Sequence, residues 1–272
     1  MTDLALEGVS YRYRGGGALA LDGVDLRIEA GERVALVGQN GSGKTTLVRH
    51  LNGLLRPTSG GVLHDGADVA RRSVASLARS VGLVFQDPDR QIFAGSVRAE
   101  VEFGPRNLGV RGADLQAAVD EALTAVGLEA EARTNPYDLG TSRRKLLALA
   151  SVQAMRTPVL VLDEPTTGQD LRGTAIVRRA VGEAHAAGRT VIAISHDMGF
   201  VADAFDRVVV LRAGQIVLDG APASVFAEPS WAALRSTYLE PPLPAEIGAR
   251  LGLGATPTDA ALLSALGSAI GR

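Results

Sequence analysis

The chain has 272 residues, 46% hydrophobic and 21% charged, a balance that supports a packed core and excludes global disorder. Its net charge of −2 gives no electrostatic case for a nucleic-acid partner, and the absence of cysteine excludes disulfides and thiolate metal sites. No stretch approaches the roughly 18–20 apolar residues that cross a bilayer, and Met1-Thr2-Asp3-Leu4 lacks a basic-then-apolar secretory pattern, so any membrane role is expected to run through partners.

Residues 4–13 and 24–28 read as short strands around a Gly15-Gly16-Gly17 turn, and Arg33–Val37 as a buried strand. That strand runs into a glycine-rich loop, with a helix expected from about Lys44 to Asn52. Asp65-Gly66 predicts a hairpin, and Val81–Phe85 another strand. From 96 to about 156 an Ala- and Leu-rich helical period takes over, with interruptions expected near Gly104-Pro105 and Asn135-Pro136. Val159–Leu162 is again strand-like, followed by a helix over about Leu171–Ala187 and a strand at Thr190–Ile194. This alternation implies right-handed crossovers and a mainly parallel sheet, with 96–156 as a helical insert. Beyond Pro241-Pro242, residues 245–270 carry two short amphipathic helical patterns, either a frayed tail or a small appendage for a partner.

Gly38-Gln39-Asn40-Gly41-Ser42-Gly43-Lys44-Thr45 fits the phosphate-loop pattern G-x-x-x-x-G-K-[ST]. Glycines bring backbone N–H groups close to phosphate, and the helix that follows presents its positive end to the same anion. Lys44 is expected to reach the β- and γ-phosphates and the Thr45 hydroxyl to ligate Mg2+. The apolar run Val159–Leu162 delivers Asp163 to the metal shell and Glu164 to the attacking water. Alone, two carboxylates at a strand end can simply solubilise it; paired with the phosphate loop they point to a Mg-nucleotide hydrolase.

Further motifs, taken in order, make the chain resemble the ABC ATPases over about residues 4–235. Ser195-His196-Asp197 matches the family's switch histidine, which senses the γ-phosphate, and Gln86 matches its Q-loop glutamine. The resemblance implies an aromatic stacked on adenine, Tyr13 with Tyr11 as runner-up. It also implies Asn40, Gly41, Ser42, Gly43 and Thr46 around ATP, and Gln86 beside Thr45 and Asp163 at Mg2+. Thr166-Thr167-Gly168-Gln169-Asp170 occupies the place of the D-loop, with Gln169 where Leu is more usual.

One segment departs from the family. The signature Leu-Ser-Gly-Gly-Gln, which caps the nucleotide on the opposite subunit, is here Leu139-Gly140-Thr141-Ser142-Arg143. Gly140 has no hydroxyl, while Thr141 and Ser142 add bulk and can donate. A lost hydrogen bond to a charged group weakens the capped site by about ten- to a hundredfold, without removing dimerisation.

Val84–Phe93 and Val101–Gly109 are similar to the Q-loop region of energy-coupling-factor importers, which take up vitamins or transition-metal ions such as cobalt and nickel. That resemblance implies an α/β P-loop fold: a mainly parallel core sheet, an antiparallel β subdomain, a helical subdomain at about 96–156 and a short C-terminal helical extension. The division expected is 1–239 for the ATPase domain and 240–272 for the extension, which contacts a second ATPase subunit. The implied partners are that subunit (a heterodimer favoured over a homodimer), a transmembrane coupling protein and a small membrane substrate-binding protein, at the cytoplasmic membrane face. The competing readings are another ABC importer or exporter, or a soluble ABC protein of translation or DNA repair. The four histidines are scattered without ligand spacing, so Mg2+ with ATP is the only metal expected.

Overall fold

The computed structural model describes residues 2–270. Strands β1 (Leu4–Tyr11) and β2 (Leu21–Ile28) lead into β3 (Arg33–Val37), whose apolar run ends at the loop before helix α1 (Lys44–Leu51). β4 (Ser59–His64) and β5 (Ala67–Asp68) form the hairpin expected at Asp65-Gly66, with φ of 51° and 75° at the two turn residues, the signs a type I′ turn needs. The single-turn α2 (Val74–Leu77) and β6 (Val81–Val84) precede three helices, α3 (Val97–Leu108), α4 (Gly112–Val126) and α5 (Thr141–Gln153). The alternation then resumes with β7 (Val159–Asp163), α6 (Leu171–Ala186), β8 (Thr190–Ile194) and α7 (Met198–Ala204). Last come β9 (Arg207–Arg212), β10 (Gln215–Gly220), α8 (Pro222–Val225), α9 (Trp231–Arg235), α10 (Leu243–Arg250) and α11 (Asp259–Ile270).

The strands form two sheets, an antiparallel one in the order β2-β1-β4-β5 and a six-stranded one in the order β10-β9-β3-β8-β7-β6. The second is parallel throughout except for β10 against β9. Successive strand residues point to opposite faces, so each central strand feeds two cores. Val159, Val161, Ile192 and Ile194 pack with α1 and the antiparallel sheet, whereas Leu160, Leu162, Val191 and Ala193 pack with the helices of the other face. Runs of Val, Ile and Leu buried on both sides are what this layered arrangement demands.

Two local features differ from expectation. The helix at Gly104-Pro105 is not interrupted, since α3 runs through Pro105 and stops only at Gly109, with φ 98°. Pro105 lies near the end of the helix, so the i→i−4 bond it removes, to the Val101 carbonyl, leaves only the final three residues to be held beyond it. Gly104 serves packing instead: a Cβ there would lie 2.5 Å from Met155 Cγ, so glycine lets α3 close on the end of α5. The hairpin β9–β10 was not foreseen. Its turn residues, Ala213 and Gly214, take φ of 48° and 83°, and Ala-Gly is a weaker hairpin signal than Asn-Gly.

Two buried histidines give the fold a pH dependence. His50 and His64 are almost fully enclosed, and neither ring nitrogen of His64 has a hydrogen-bond partner. Burial lowers the pKa of both below the ordinary histidine value. The unfolded chain therefore binds these protons first, and the stability the neutral rings confer is complete above pH about 6.5 and lost as pH falls through the folded pKa. Thermal melts at pH 7.5 and 5.5 should show a smaller acid-induced drop for His64→Leu than for the natural chain. Each kcal/mol appears as about 2–4 °C in a domain of this size. Equal drops would show that His64 does not contribute.

Candidate functional site

The carboxyl ends of β3, β7 and β8 meet at one edge of the parallel sheet, where open α/β sheets place their ligands. A cleft of about 380 Å3 lies there, lined by Tyr13, Asn40–Thr46, Gln86, Asp163, Glu164 and Ile194. A larger depression of about 520 Å3 over Leu4–Glu7 and Arg27 holds none of these groups.

The loop Gly38–Thr45 bends because glycine permits it. Gly43 has φ 108°, and a Cβ at that position would lie 2.5 Å from the Ala20 carbonyl oxygen. Lys44 is buried, and its Nζ donates to the carbonyl oxygens of Gly38 at 2.6 Å and Gln39 at 2.9 Å. Burial lowers its pKa, and the charges of Glu164 and Asp163 oppose the shift. Gly214 N donates to Ser42 O at 3.0 Å, so the β9–β10 turn buttresses the loop from behind.

Asp163 ends β7 and is buried. Its Oδ2 accepts from Thr45 Oγ1 at 3.2 Å, while its Oδ1 has no partner. Burial raises the Asp163 pKa, the Thr45 hydrogen bond opposes that, and the charge of Glu164 reinforces it. A buried carboxylate oxygen without a partner, beside a hydroxyl, is a donor set suited to a hard divalent cation such as Mg2+.

Glu164 has φ 51°, in the left-handed region that non-glycine residues seldom occupy. Such strain persists only where the surroundings over-determine it. Here Glu164 N donates to Ile194 O at 3.0 Å, Thr167 Oγ1 donates to Glu164 Oε2 at 3.1 Å, and His196 Nδ1 lies 2.7 Å from the same oxygen. The His196 side chain is 61% exposed, so it can meet a ligand as well as the carboxylate.

Tyr13, 42% exposed, faces the cleft and pairs its hydroxyl with Thr46 Oγ1 at 3.0 Å. Tyr11 does not line the cleft; its ring packs edge-on against Tyr13 and buried His50. Gly140, Thr141 and Ser142 stand apart from this cleft. Gly140 caps the start of α5, the Thr141 side is exposed, and the Ser142 hydroxyl donates to Gln169 Oε1 at 2.6 Å. Ser142 thus has its proton committed within its own chain. Lys145, which donates to Thr167 O at 2.7 Å, carries no signal in the sequence, and Thr167 stands out there only as part of the D-loop. The bond from Lys145 to Thr167 spans 22 residues, too far for any local pattern to reveal it.

Comparison with known proteins fits this geometry. Residues 21–167 match the model of a family described as "ABC transporter". The energy-coupling factor transporter ATP-binding protein EcfA2 of Clostridium perfringens is 43% identical over 202 residues, covering 72% of this chain and 71% of that protein. A longer Methanosarcina acetivorans protein is 42% identical over 242 residues; the match covers 89% of this chain and 39% of that protein. Among solved structures, cbiO1 of Clostridium perfringens, part of the ABC transporter complex cbiONQ, superposes with a TM-score of 0.74 at 36% identity, covering 92% of this chain and 98% of that one. With a phosphate loop, a carboxylate pair and a histidine gathered at one sheet edge, and a family match over more than half its length, the chain belongs to the ABC transporter family of ATPases.

Proposed function

We propose that this chain binds and hydrolyses ATP to energise an energy-coupling-factor-type importer of a vitamin or transition-metal ion, working as a dimer on the cytoplasmic face of the membrane. The observation that carries the reading is the meeting of Lys44, Asp163, Glu164 and His196 around one cleft, in a chain similar to both EcfA2 and cbiO1.

In this reading the N–H groups of Gly41–Thr46 and the Lys44 ammonium hold the phosphates, and Tyr13 stacks on the adenine. Glu164 takes a proton from the water that attacks the γ-phosphorus, yielding ADP and inorganic phosphate. His196 holds the carboxylate in line from 2.7 Å and faces the γ-phosphate with its free edge. Thr45 and Asp163, with Gln86, are the residues that would hold Mg2+, which when bound offsets the charge of the phosphate oxygens.

The α5 start at Gly140-Thr141-Ser142 would face the partner subunit's nucleotide. Because Ser142 donates to Gln169, Thr141 and the helix N–H groups are left for that task, which favours a heterodimer with one strong and one weak site. Gln86 and residues 87–108 would form part of the groove that receives a helix of the membrane coupling protein. Glu100, buried, accepts from Phe93 N at 3.0 Å and Ala94 N at 2.8 Å, while Phe93 and Phe103 stay exposed, edge-on at 4.7 Å. No helix among the described residues is long and apolar enough to cross a membrane, so such a partner would supply the span. We assign 1–239 to the ATPase domain and 240–272 to an extension for the second ATPase subunit. In the extension, Ala245 joins the main core while Leu251, Leu263 and Ile270 remain exposed.

Gentle affinity purification of the chain from its native membranes, followed by mass spectrometry, tests the assembly. The expected result is a second ATPase subunit and two membrane proteins, one of which binds the cargo. Recovery of the chain without membrane proteins would overturn the importer.

A further inference from the structure

The loop that follows Glu164 is tied to the first turns of α5 by two side-chain clasps. In one, Ser142 Oγ donates to Gln169 Oε1 at 2.6 Å and Gln169 Nε2 returns a bond to Ser142 O at 3.1 Å. In the other, half-buried Lys145 donates from Nζ to Thr167 O at 2.7 Å, and the Thr167 hydroxyl continues to Glu164 Oε2 at 3.1 Å. Space is reserved for the first clasp: a Cβ on Gly173 would lie 2.1 Å from Gln169 Oε1. Asp170 fixes the far end of the loop by accepting from Gly173 N at 2.7 Å.

We propose that Lys145 and Gln169 are positioning residues for ATP hydrolysis, holding the 165–170 loop against α5 so that the Glu164 carboxylate keeps its strained, reaction-ready placement. The inference rests on the reading of Glu164 as general base. Glu164 occupies a backbone region that relaxes unless neighbours hold it, and Thr167 is the neighbour whose own position depends on Lys145. The first clasp joins residues at two positions, 142 and 169, where this chain departs from the usual ABC pattern, and the two departures fit each other. A consequence is mechanical: α5 belongs to the helical group α3–α5, so displacement of that group by a docked partner would reach Glu164 through these bonds.

The test measures kcat and KM for MgATP with the full chain and its copurifying membrane partners. Each of Lys145→Met and Gln169→Leu should lower kcat by about tenfold, the size of one lost charged or tightly held hydrogen bond, with KM changed by less than about twofold. Lys145→Arg should recover most of the rate, since a cation still reaches the Thr167 carbonyl. In a Glu164→Gln background, Lys145→Met should add almost nothing, because a residue that acts only through Glu164 has nothing left to position. Losses that multiply in the double variant, or a rise in KM matching the fall in kcat and not rescued by Arg, would overturn the proposal and leave Lys145 as a stability residue. A natural rate in Lys145→Met, with hydrolysis abolished in Glu164→Gln, would overturn it while sparing the general base. A natural rate in Glu164→Gln would instead overturn the reading on which it stands.

Discussion

Glu164→Gln should lower ATP hydrolysis by about a hundred- to ten-thousandfold, the range for removing a general base, while nucleotide binding stays close to natural. The amide keeps the length and plane of the carboxylate, and its oxygen can still accept from Thr167 Oγ1, so the loop geometry should persist. What disappears is the capacity to take a proton. The substitution also removes one of two adjacent negative charges facing the phosphates, which should hold or slightly strengthen ATP affinity. Single-turnover hydrolysis beside equilibrium binding of MgATP checks both halves. A rate within about tenfold of natural would mean that water is activated by another group.

Lys44→Met should instead strike binding. The buried ammonium donates to two loop carbonyls and stands among the charges of Asp163 and Glu164. Without it those carbonyls lose their donor, and the two carboxylates repel an incoming triphosphate with no cation between them. Loss of a charge-assisted hydrogen bond corresponds to about ten- to a hundredfold in affinity, and hydrolysis should fall at least as far. Lys44→Arg is not expected to rescue, because a planar guanidinium does not fit where a compact ammonium serves two carbonyls at 2.6 and 2.9 Å. Calorimetric titration with MgATP is the direct measurement, and an affinity within about threefold of natural would refute the assignment.

Those two residues were legible in the sequence for a physical reason. Each follows a short apolar strand, Glu164 directly and Lys44 across the glycine loop, where a strand-to-loop change is written in consecutive letters: Arg33–Val37 into glycines, Val159–Leu162 into carboxylates. The parallel sheet then carries both ends to one edge. Lys145 gave no such signal, since a lysine at the fifth position of a helix is ordinary and its partner Thr167 lies 22 residues away. The same holds for Ser142 and Gln169, whose departures from the family pattern could be seen one by one but not as a pair. Proline misled at α3, because its cost depends on where the helix ends, and that end was set by Gly109 and by the fit of Gly104 against Met155.

The alternation of β7 between two cores bears on how faithfully the site is assembled. Val159 and Val161 fill one layer and Leu160 and Leu162 the other. A one-residue slip of β7 against β8 would push leucines into space shaped for valines on one side and leave gaps on the other. It would also draw Leu162 to the place where Asp163 meets Thr45. A copy with a displaced carboxylate is therefore a copy with two damaged cores, too unstable to persist beside the correct one. Quality control of folding and quality control of catalysis are, in this strand, the same selection.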